Sequence, residues 1–331
     1  MPFWLLLLLA FAAVLALLCR HWGREFVDIW SISIYTGRDL RTLAPATGGN
    51  GQPVLQAQDV TDVKALFVAD PFLWRTADAW HMFFEVYDER LLRGVIAHAT
   101  SVDGLSWRYD RVVLAEPVHL SYPCVFAHDG VHYMIPESGA AGEVRLYRAR
   151  NFPYEWVLDA VLLRGDYFDP SVIFHNGRWW MWVSNACYSC HVFSANQLHG
   201  PWEAHPGNVQ SVTDMHFSRP GGRMICHDGQ LLRFVQDALP SYGSRLHVRQ
   251  VTRLDSVIYL ESAWGEGPLL QGSGHGWNAT GMHHLDAWQL DDGVWLAAVD
   301  GNHQQQRVNW KAGARQLQRR VSAVFRGEKN V

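Results

Sequence analysis

Lysine is scarce in this chain. Only Lys64, Lys311 and Lys329 occur in 331 residues, so arginine carries nearly all of the basic charge. Cysteine is scarce too: five in a chain of this length do not make a disulfide scaffold. Charged residues amount to only 18% and the net charge is −4. That balance speaks against nucleic acid as the main partner. No low-complexity linker interrupts the chain, which points to one folded domain. Hydrophobic residues at 48% exclude a disordered or fibrous chain. Aromatics are abundant, with 16 Trp, 11 Tyr and 15 Phe. They serve either a β-rich core or a platform for a ligand such as a sugar.

The one long apolar run is residues 2–19, PFWLLLLLAFAAVLALLC. It is about as short as a bilayer-spanning helix can be, since ~17–25 residues are needed. No Lys or Arg precedes it, and Arg20 and Arg24 follow it. A secretory signal shows a basic start and a small-residue cleavage site, and neither is clear here. The positive-inside rule puts the arginine side in the cytoplasm. The expectation is a single membrane anchor over residues 1–24 with a cytoplasmic globular domain over 25–331. An export signal, cleaved or not, is the alternative.

Fixed-period repetition organises the remainder. Five segments read as apolar strand, turn, apolar strand: residues 69–85, 122–137, 169–184, 219–236 and 278–300. Four carry Asp129-Gly130, Asn176-Gly177, Asp228-Gly229 or Asp292-Gly293, dipeptides suited to two-residue hairpin turns. Pro71, Pro123, Pro170 and Pro220 recur at spacings of 52, 47 and 50 residues. A second strand–turn–strand piece follows the first three copies, with Trp107, Trp156 and Trp202 in equivalent places. Four strands per unit and five units of about fifty residues describe an all-β, five-bladed β-propeller preceded by one transmembrane helix. Residues 26–37 supply a strand that closes the ring with the last blade.

In a propeller the first strand of each blade lines the channel, and the second runs back to the same mouth. The strand-one starts are Asp70, Tyr122, Asp169, Arg219 and Asn278. The strand-two ends are Glu85, Glu137, Ser184, Gln236 and Asp300. The mouth therefore gathers Asp70, Asp169, Glu85, Glu137 and Asp300, with Arg219, Arg223, His216, His283 and His284 near them. Converging carboxyls suit glycosidic chemistry, where one group acts as base or nucleophile and a protonated one as acid. Crowding of like charges supplies the protonated member. An Asp-Pro pair can equally cap a turn without any catalytic role. Trp277 precedes Asn278 and is the leading sugar-platform tryptophan. Cys187 and Cys190 have C-x-x-C spacing without a second pair, which reads as buried thiols. The sequence requires no cofactor and no metal ligand set; His275, His283 and His284 leave a channel cation open.

The segments ADPFLW, HLSYPCVF, IPES, FDPS, RPGG and GWNATGMHH, with WSISIYTG, together resemble the N-terminal propeller domain of glucosamine inositolphosphorylceramide transferases and its free-standing bacterial relatives. The likeness covers roughly residues 28–301. More distantly the blades resemble the five-bladed arabinanases, xylosidases and invertases. That resemblance implies Asp70 as general base and Asp169 as the carboxylate that orients the acid and tunes its pKa. The acid Glu that opens the fourth blade of those hydrolases is missing, because Ser218-Arg219-Pro220 stands there. Glu137 is then the substitute acid, with His216 another proton donor. Arg219 and Arg223 suit a phosphate or carboxylate of the ligand. In the plant transferases the resemblance attributes sugar transfer to a separate C-terminal domain.

The expected function is action on a glycosidic bond in cell-envelope polysaccharide or glycolipid synthesis. Asp70, Asp169 and Glu137 are the catalytic candidates. Glu85, His216, Arg219, Arg223, Trp277, Asn278, His283, His284 and Asp300 are the substrate-binding candidates. The expected partners are a sugar, glycan or activated sugar, and the membrane. The alternative is a non-catalytic glycan-binding module that assists a partner glycosyltransferase.

Overall fold

A computed structural model of the chain describes residues 24–46, 51–207 and 214–308, with residues 2, 4 and 5. Two compact units are present: Ile29–His303, and Met1–Asp28 with Gln304–Val331. The first carries the propeller. The second contributes residues 2, 4, 5, 24–28 and 304–308 to the description.

Strands β1 (Arg24–Gly37) and β2 (Ala44–Pro45) come first in the chain but complete the last sheet. Blade one is β3 (Ala65–Arg75), β4 (Trp80–Asp88), β5 (Arg93–Ser101) and β6 (Arg108–Leu114). Blade two is β7 (Ser121–His128), β8 (Val131–Glu137), β9 (Glu143–Asn151) and β10 (Glu155–Arg164). Blade three is β11 (Phe168–His175), β12 (Arg178–Ser184), β13 (His191–Ala195) and β14 (Glu203–Ala204). Blade four has a broken inner strand, β15 (Arg219–Pro220) and β16 (Ile225–His227). Its remaining strands are β17 (Gln230–Asp237), β18 (Arg245–Leu254), β19 (Tyr259–Ala263) and β20 (Leu270–Gln271). Blade five is β21 (Leu285–Gln289) and β22 (Trp295–Val308), extended by β1 and β2. The fold is thus an all-β five-bladed propeller, and β1 is the strand that closes its ring.

The turn dipeptides act as their chemistry dictates. Asp129, Asn176 and Asp228 have φ of 49°, 52° and 50°, and each following glycine is also positive. Two positive φ values in a row match the right-handed twist of the flanking strands. Asp292-Gly293 differs from its expected geometry. Gln289 pairs with Trp295, so the loop is the five residues 290–294 and only Gly293 has positive φ.

The tryptophans are mostly blade packing. Trp80, Trp156, Trp179 and Trp295 are buried. The indole N–H groups of Trp107, Trp156 and Trp202 donate to the carbonyls of Gly104, Pro153 and Leu198, three or four residues upstream. Each ring thereby seals the turn before the outer strand of its blade. Apolar clusters lie between blades: one joins Phe72 and Phe83 to Cys124, Met134 and Met181. Another joins Ile32 and Ile34 of β1 to Val68, Phe84 and Leu296. Burial of this kind contributes ~25 cal/mol per Å² of apolar surface and holds neighbouring blades face to face.

Nearly all of the apolar run at residues 2–19, expected to be an anchor, lies outside the described residues. Among the described residues no helix is long and apolar enough to cross a membrane.

Candidate functional site

The inner strands of the first three blades share one backbone device. Ala69, Ser121 and Phe168 pair with Glu85, Glu137 and Ser184, and the register then slips. Asp70, Tyr122 and Asp169 occupy the slip with φ of 54°, 47° and 51°. Positive φ is uncommon for residues other than glycine and persists where surrounding structure enforces it. Here the enforcement is a chain of bonds between blades. Asp300 Oδ2 accepts from Asp70 N at 3.0 Å, and Asp70 Oδ2 accepts from Tyr122 N at 3.2 Å. In blade four Arg219 pairs directly with Gln236. Gly222 then follows at φ 147°, where a Cβ would lie 1.8 Å from the Leu285 carbonyl oxygen.

These bulges surround a cavity of about 710 Å³ at one mouth of the channel. Asp70, Glu85, Glu137, Arg219 and His283 line it. Asp169 is held just behind, its Oδ2 accepting from Arg219 Nε at 2.6 Å and Gln236 Nε2 at 2.7 Å. Asp300 is fully buried and accepts from the backbone N–H of His284 at 3.0 Å. It also lies 2.8 Å from His283 Nδ1. His284 is buried with Nε2 3.0 Å from the Pro71 carbonyl oxygen.

Burial is the main force on the carboxyls. It pushes Asp70 up to about 7, with Asp169 and Asp300 adding to the rise and His283 opposing it. Burial and then Asp169 raise Glu137 to about 7, against the Gly139 N–H and Arg219. Glu85 is raised well above the ordinary carboxyl range by burial and by Asp70, Glu137 and Asp169. Burial opposes charge on His283, yet Asp300 and Asp70 outweigh it and raise its pKa. Burial likewise opposes the Asp300 anion, but His283 and His284 hold its pKa down. Asp70 Oδ1 and Glu85 Oε1 are buried without a hydrogen-bond partner. Asp70, His283 and Asp300 bring three ligand atoms within 4.8 Å of one another, as a bound cation requires. His283, paired with Asp300 and raised in pKa, is the group there that can carry a positive charge.

Four expected mouth residues lie elsewhere. Arg223 donates to both oxygens of Asp286 and to the carbonyls of Val125 and Leu73, so it braces blades rather than facing a ligand. His216 Nδ1 lies 3.0 Å from Asp237 Oδ1, outside the cavity lining. Asn278 ends a short 3-10 turn, Gly276–Asn278, rather than opening a strand. Its side chain accepts from Ser273 Oγ and donates to Met282 Sδ. The inner strand of blade five opens instead at Leu285, just after His283 and His284, whose backbone N–H groups donate to Asp300 Oδ1. Trp277 donates its indole N–H to the Gly51 carbonyl and packs against a core cluster. Cys190 is half-buried, Cys187 is exposed and both are free thiols.

Sequence reading missed Trp30, His119 and Tyr242, all in the cavity wall. Trp30 stacks on His283 with ring centroids 3.9 Å apart, and Tyr242 meets both rings edge-on. Arg219 lies 5.1 Å from the centre of the Tyr242 ring. Trp30 and His119 fall in the segments WSISIYTG and HLSYPCVF, which were available as signals. Tyr242 follows a Leu-Pro-Ser run with no repeat counterpart.

Fold and site define a five-bladed propeller with an acidic cavity at one mouth. Residues 29–302 match the family described as glucosamine inositolphosphorylceramide transferase 1, N-terminal, and the chain belongs to that family. It is 33% identical over 298 residues to glucosamine inositolphosphorylceramide transferase 1 of Oryza sativa subsp. japonica, covering 82% of this chain and 40% of the relative. The Arabidopsis thaliana protein of the same name is 32% identical over 299 residues, covering 82% and 39%. The chain thus spans about two fifths of these relatives. An exo-β-1,3-galactanase from Clostridium thermocellum superposes with a TM-score of 0.55 at 15% identity, over 72% of this chain and 59% of that one. The α-L-arabinanase of Cellvibrio cellulosa gives 0.52 at 17%, over 74% and 96%. At such identities the likeness is one of fold.

Proposed function

We propose that this propeller acts on a glycosidic bond in the synthesis of a cell-envelope polysaccharide or glycolipid. The observation that carries the reading is three acidic side chains in one 710 Å³ cavity, Asp70 and Glu137 raised to about 7 and Glu85 raised well above the ordinary carboxyl range by burial. Asp169 is paired with Arg219 and Asp300 with His283, so Glu85 and Glu137 have no fixed cation of their own. An amino sugar would fit such a surplus, because its ammonium pairs with whichever carboxyl ionises. The name of the plant relatives includes glucosamine. Arg219 would hold an anionic part of an activated sugar. Asp70, next to the His283 cation, would act as base or nucleophile and Glu137 as proton donor, each near its best pKa at neutral pH.

The test uses the full chain in detergent with a panel of nucleotide-activated and aryl hexosaminides. Asp70→Asn and Glu137→Gln should each lower turnover ~10²-fold or more. Turnover that survives both changes would defeat the reading.

The Asp169–Arg219 bond favours a second reading, in which the propeller binds glycan and assists a partner glycosyltransferase. A carboxylate committed to a guanidinium is poorly placed to orient an acid by hydrogen bonding. Calorimetry would then show hexosamine binding that weakens in Asp70→Asn, while no substrate is ever turned over by the unaltered protein.

The anchor over residues 1–24 and a cytoplasmic propeller belong to the same proposal, supported by Arg20 and Arg24 after the apolar run. A C-terminal fluorescent fusion that stays dark while an alkaline phosphatase fusion is active would reverse that orientation.

A further inference from the structure

His119 lies between β6 and β7, outside every repeat-equivalent position. Two hydrogen bonds with the Gly94 backbone, one to the His119 side chain and one from the next residue, staple this segment to β5. The N–H of Gly94 donates to His119 Nδ1 at 2.8 Å, and the Leu120 N–H donates to the Gly94 carbonyl at 3.1 Å. A side chain at residue 94 has no room, because a Cβ would lie 2.3 Å from the Leu120 carbonyl oxygen and 2.5 Å from Glu85 Oε1. Glycine is what lets the imidazole and Glu85 close in on each other.

The Gly94 bond settles the tautomer. With Nδ1 accepting, the single proton of the neutral ring sits on Nε2. That nitrogen lies 3.6 Å from Glu85 Oε1 and 3.9 Å from Glu137 Oε2. Glu85 Oε1 is buried and has no hydrogen-bond partner. Glu137 Oε1 accepts from Gly139 N at 2.8 Å, while Oε2 has only the Ser121 hydroxyl at 3.4 Å. Burial lowers the pKa of His119, with Arg219 adding to the effect and Asp169 opposing it. Protonating Nδ1 would also deprive the Gly94 N–H of its acceptor. The ring is therefore a neutral donor. The distances exceed a closed hydrogen bond, as is common in unliganded sites that tighten around substrate.

We propose that His119 is a positioning residue that offers its Nε2–H to the Glu85–Glu137 pair and so stabilises the state in which the two share one proton. The inference rests on the acid role proposed above for Glu137. Other charged groups facing the pair are Asp70 on β3, Asp169 on β11, Asp300 on β22 and Arg219 on β15. The three aspartates disfavour a second negative charge, and Arg219 favours the first.

The test reads the carboxyls directly, so it stands whether or not the protein proves to be an enzyme. Glutamate side chains are labelled with ¹³C in the full chain, and Glu85→Gln and Glu137→Gln identify the two signals. The pair's first ionisation is then followed by NMR titration. His119→Asn keeps an acceptor near Nδ1 but loses the Nε2 donor, and the midpoint should rise by ~1 pH unit. His119→Gln keeps a donor near Nε2, and the midpoint should stay close to that of the unaltered protein. If Asn leaves the titration unchanged and Gln disturbs it, His119 merely caps Gly94 and the proposal falls. If neither variant moves it, the proposal falls as well. A lost glutamate titration in a folded variant, checked by the dispersion of its amide spectrum, counts as the expected upward shift. Should turnover be absent while the titration behaves as described, the enzymatic reading fails and this inference stands.

Discussion

Arg219 reaches across from blade four to Asp169 of blade three, with Nε 2.6 Å from Oδ2 and Nη2 3.4 Å from Oδ1. The carboxylate is 2% exposed and the guanidinium 21%, so one partner is inside the protein and the other faces the cavity. Among the described residues, removing the cation leaves the buried anion with one hydrogen-bond donor, Gln236.

Arg219→Met should therefore cost about 3–5 kcal/mol of stability, the usual penalty for stranding one member of a buried pair. The double variant with Asp169→Asn should recover a good part of that loss, because no stranded charge remains. Urea unfolding of the four proteins in the cycle checks this. Additive losses would show that the pair is not coupled.

Stability should also fall as pH rises from about 4 to about 7. Asp70 and Glu137 both titrate at about 7 in the folded protein, against ordinary values of 3.8 and 4.5. Below about 4 both folded and unfolded chains hold these protons, and the contribution is fully present. Between the two limits the unfolded chain has released protons that the native one keeps. Each group then removes up to ~1.4 kcal/mol per pH unit, and the loss levels off above the folded pKa. His283, also raised, extends the same trend above its ordinary 6.5. Asp300, held low, acts in the opposite sense and only on acidification below its ordinary 3.8. Asp70→Asn should flatten the slope between pH 5 and 7. Unfolding midpoints at several pH values decide it, and parallel slopes would contradict the assignment.

Tyr122 is the bulge residue that is not acidic, and it does a different job. Its hydroxyl accepts from the Gly222 N–H at 2.6 Å and meets Ser171 Oγ at 2.7 Å. It thus pins blade four's broken inner strand from blade two. Tyr122→Phe leaves a buried N–H unpaired and should cost ~1–3 kcal/mol. Faster amide exchange at Gly222 than at Leu285 would localise the loss; unchanged exchange there would place it elsewhere.

The propeller was legible because its signals are local and repeated. A turn dipeptide needs only two residues, and a proline period of about fifty survives divergence elsewhere. Asp70, Glu85 and Glu137 could be placed at one mouth because hairpin register carries them there. Register fails where the backbone breaks. Gly221 and Gly222 interrupt the inner strand before Arg223, which turns to Asp286 instead of the cavity. The 3-10 turn at Asn278 likewise delays the inner strand of blade five to Leu285. His119 and Tyr242 escaped notice because connecting segments bring them in, and Trp30 because it stands on β1, the ring-closing strand outside the blade repeat. Their spacing carries no period, and only three-dimensional closure makes them neighbours.

Ring closure by β1 has a consequence for synthesis. Within the propeller, Trp30 leaves the ribosome early, and Asp300, which fixes His283 beneath it, leaves late. Pairing strands so far apart in the chain is slow, because a long loop must close before any contact repays it. The cavity wall is therefore incomplete in any chain that stops short of Asp300. Translation must pass Asp300 before a ligand can find its full complement of side chains, so occupancy of this pocket reports on a closed ring.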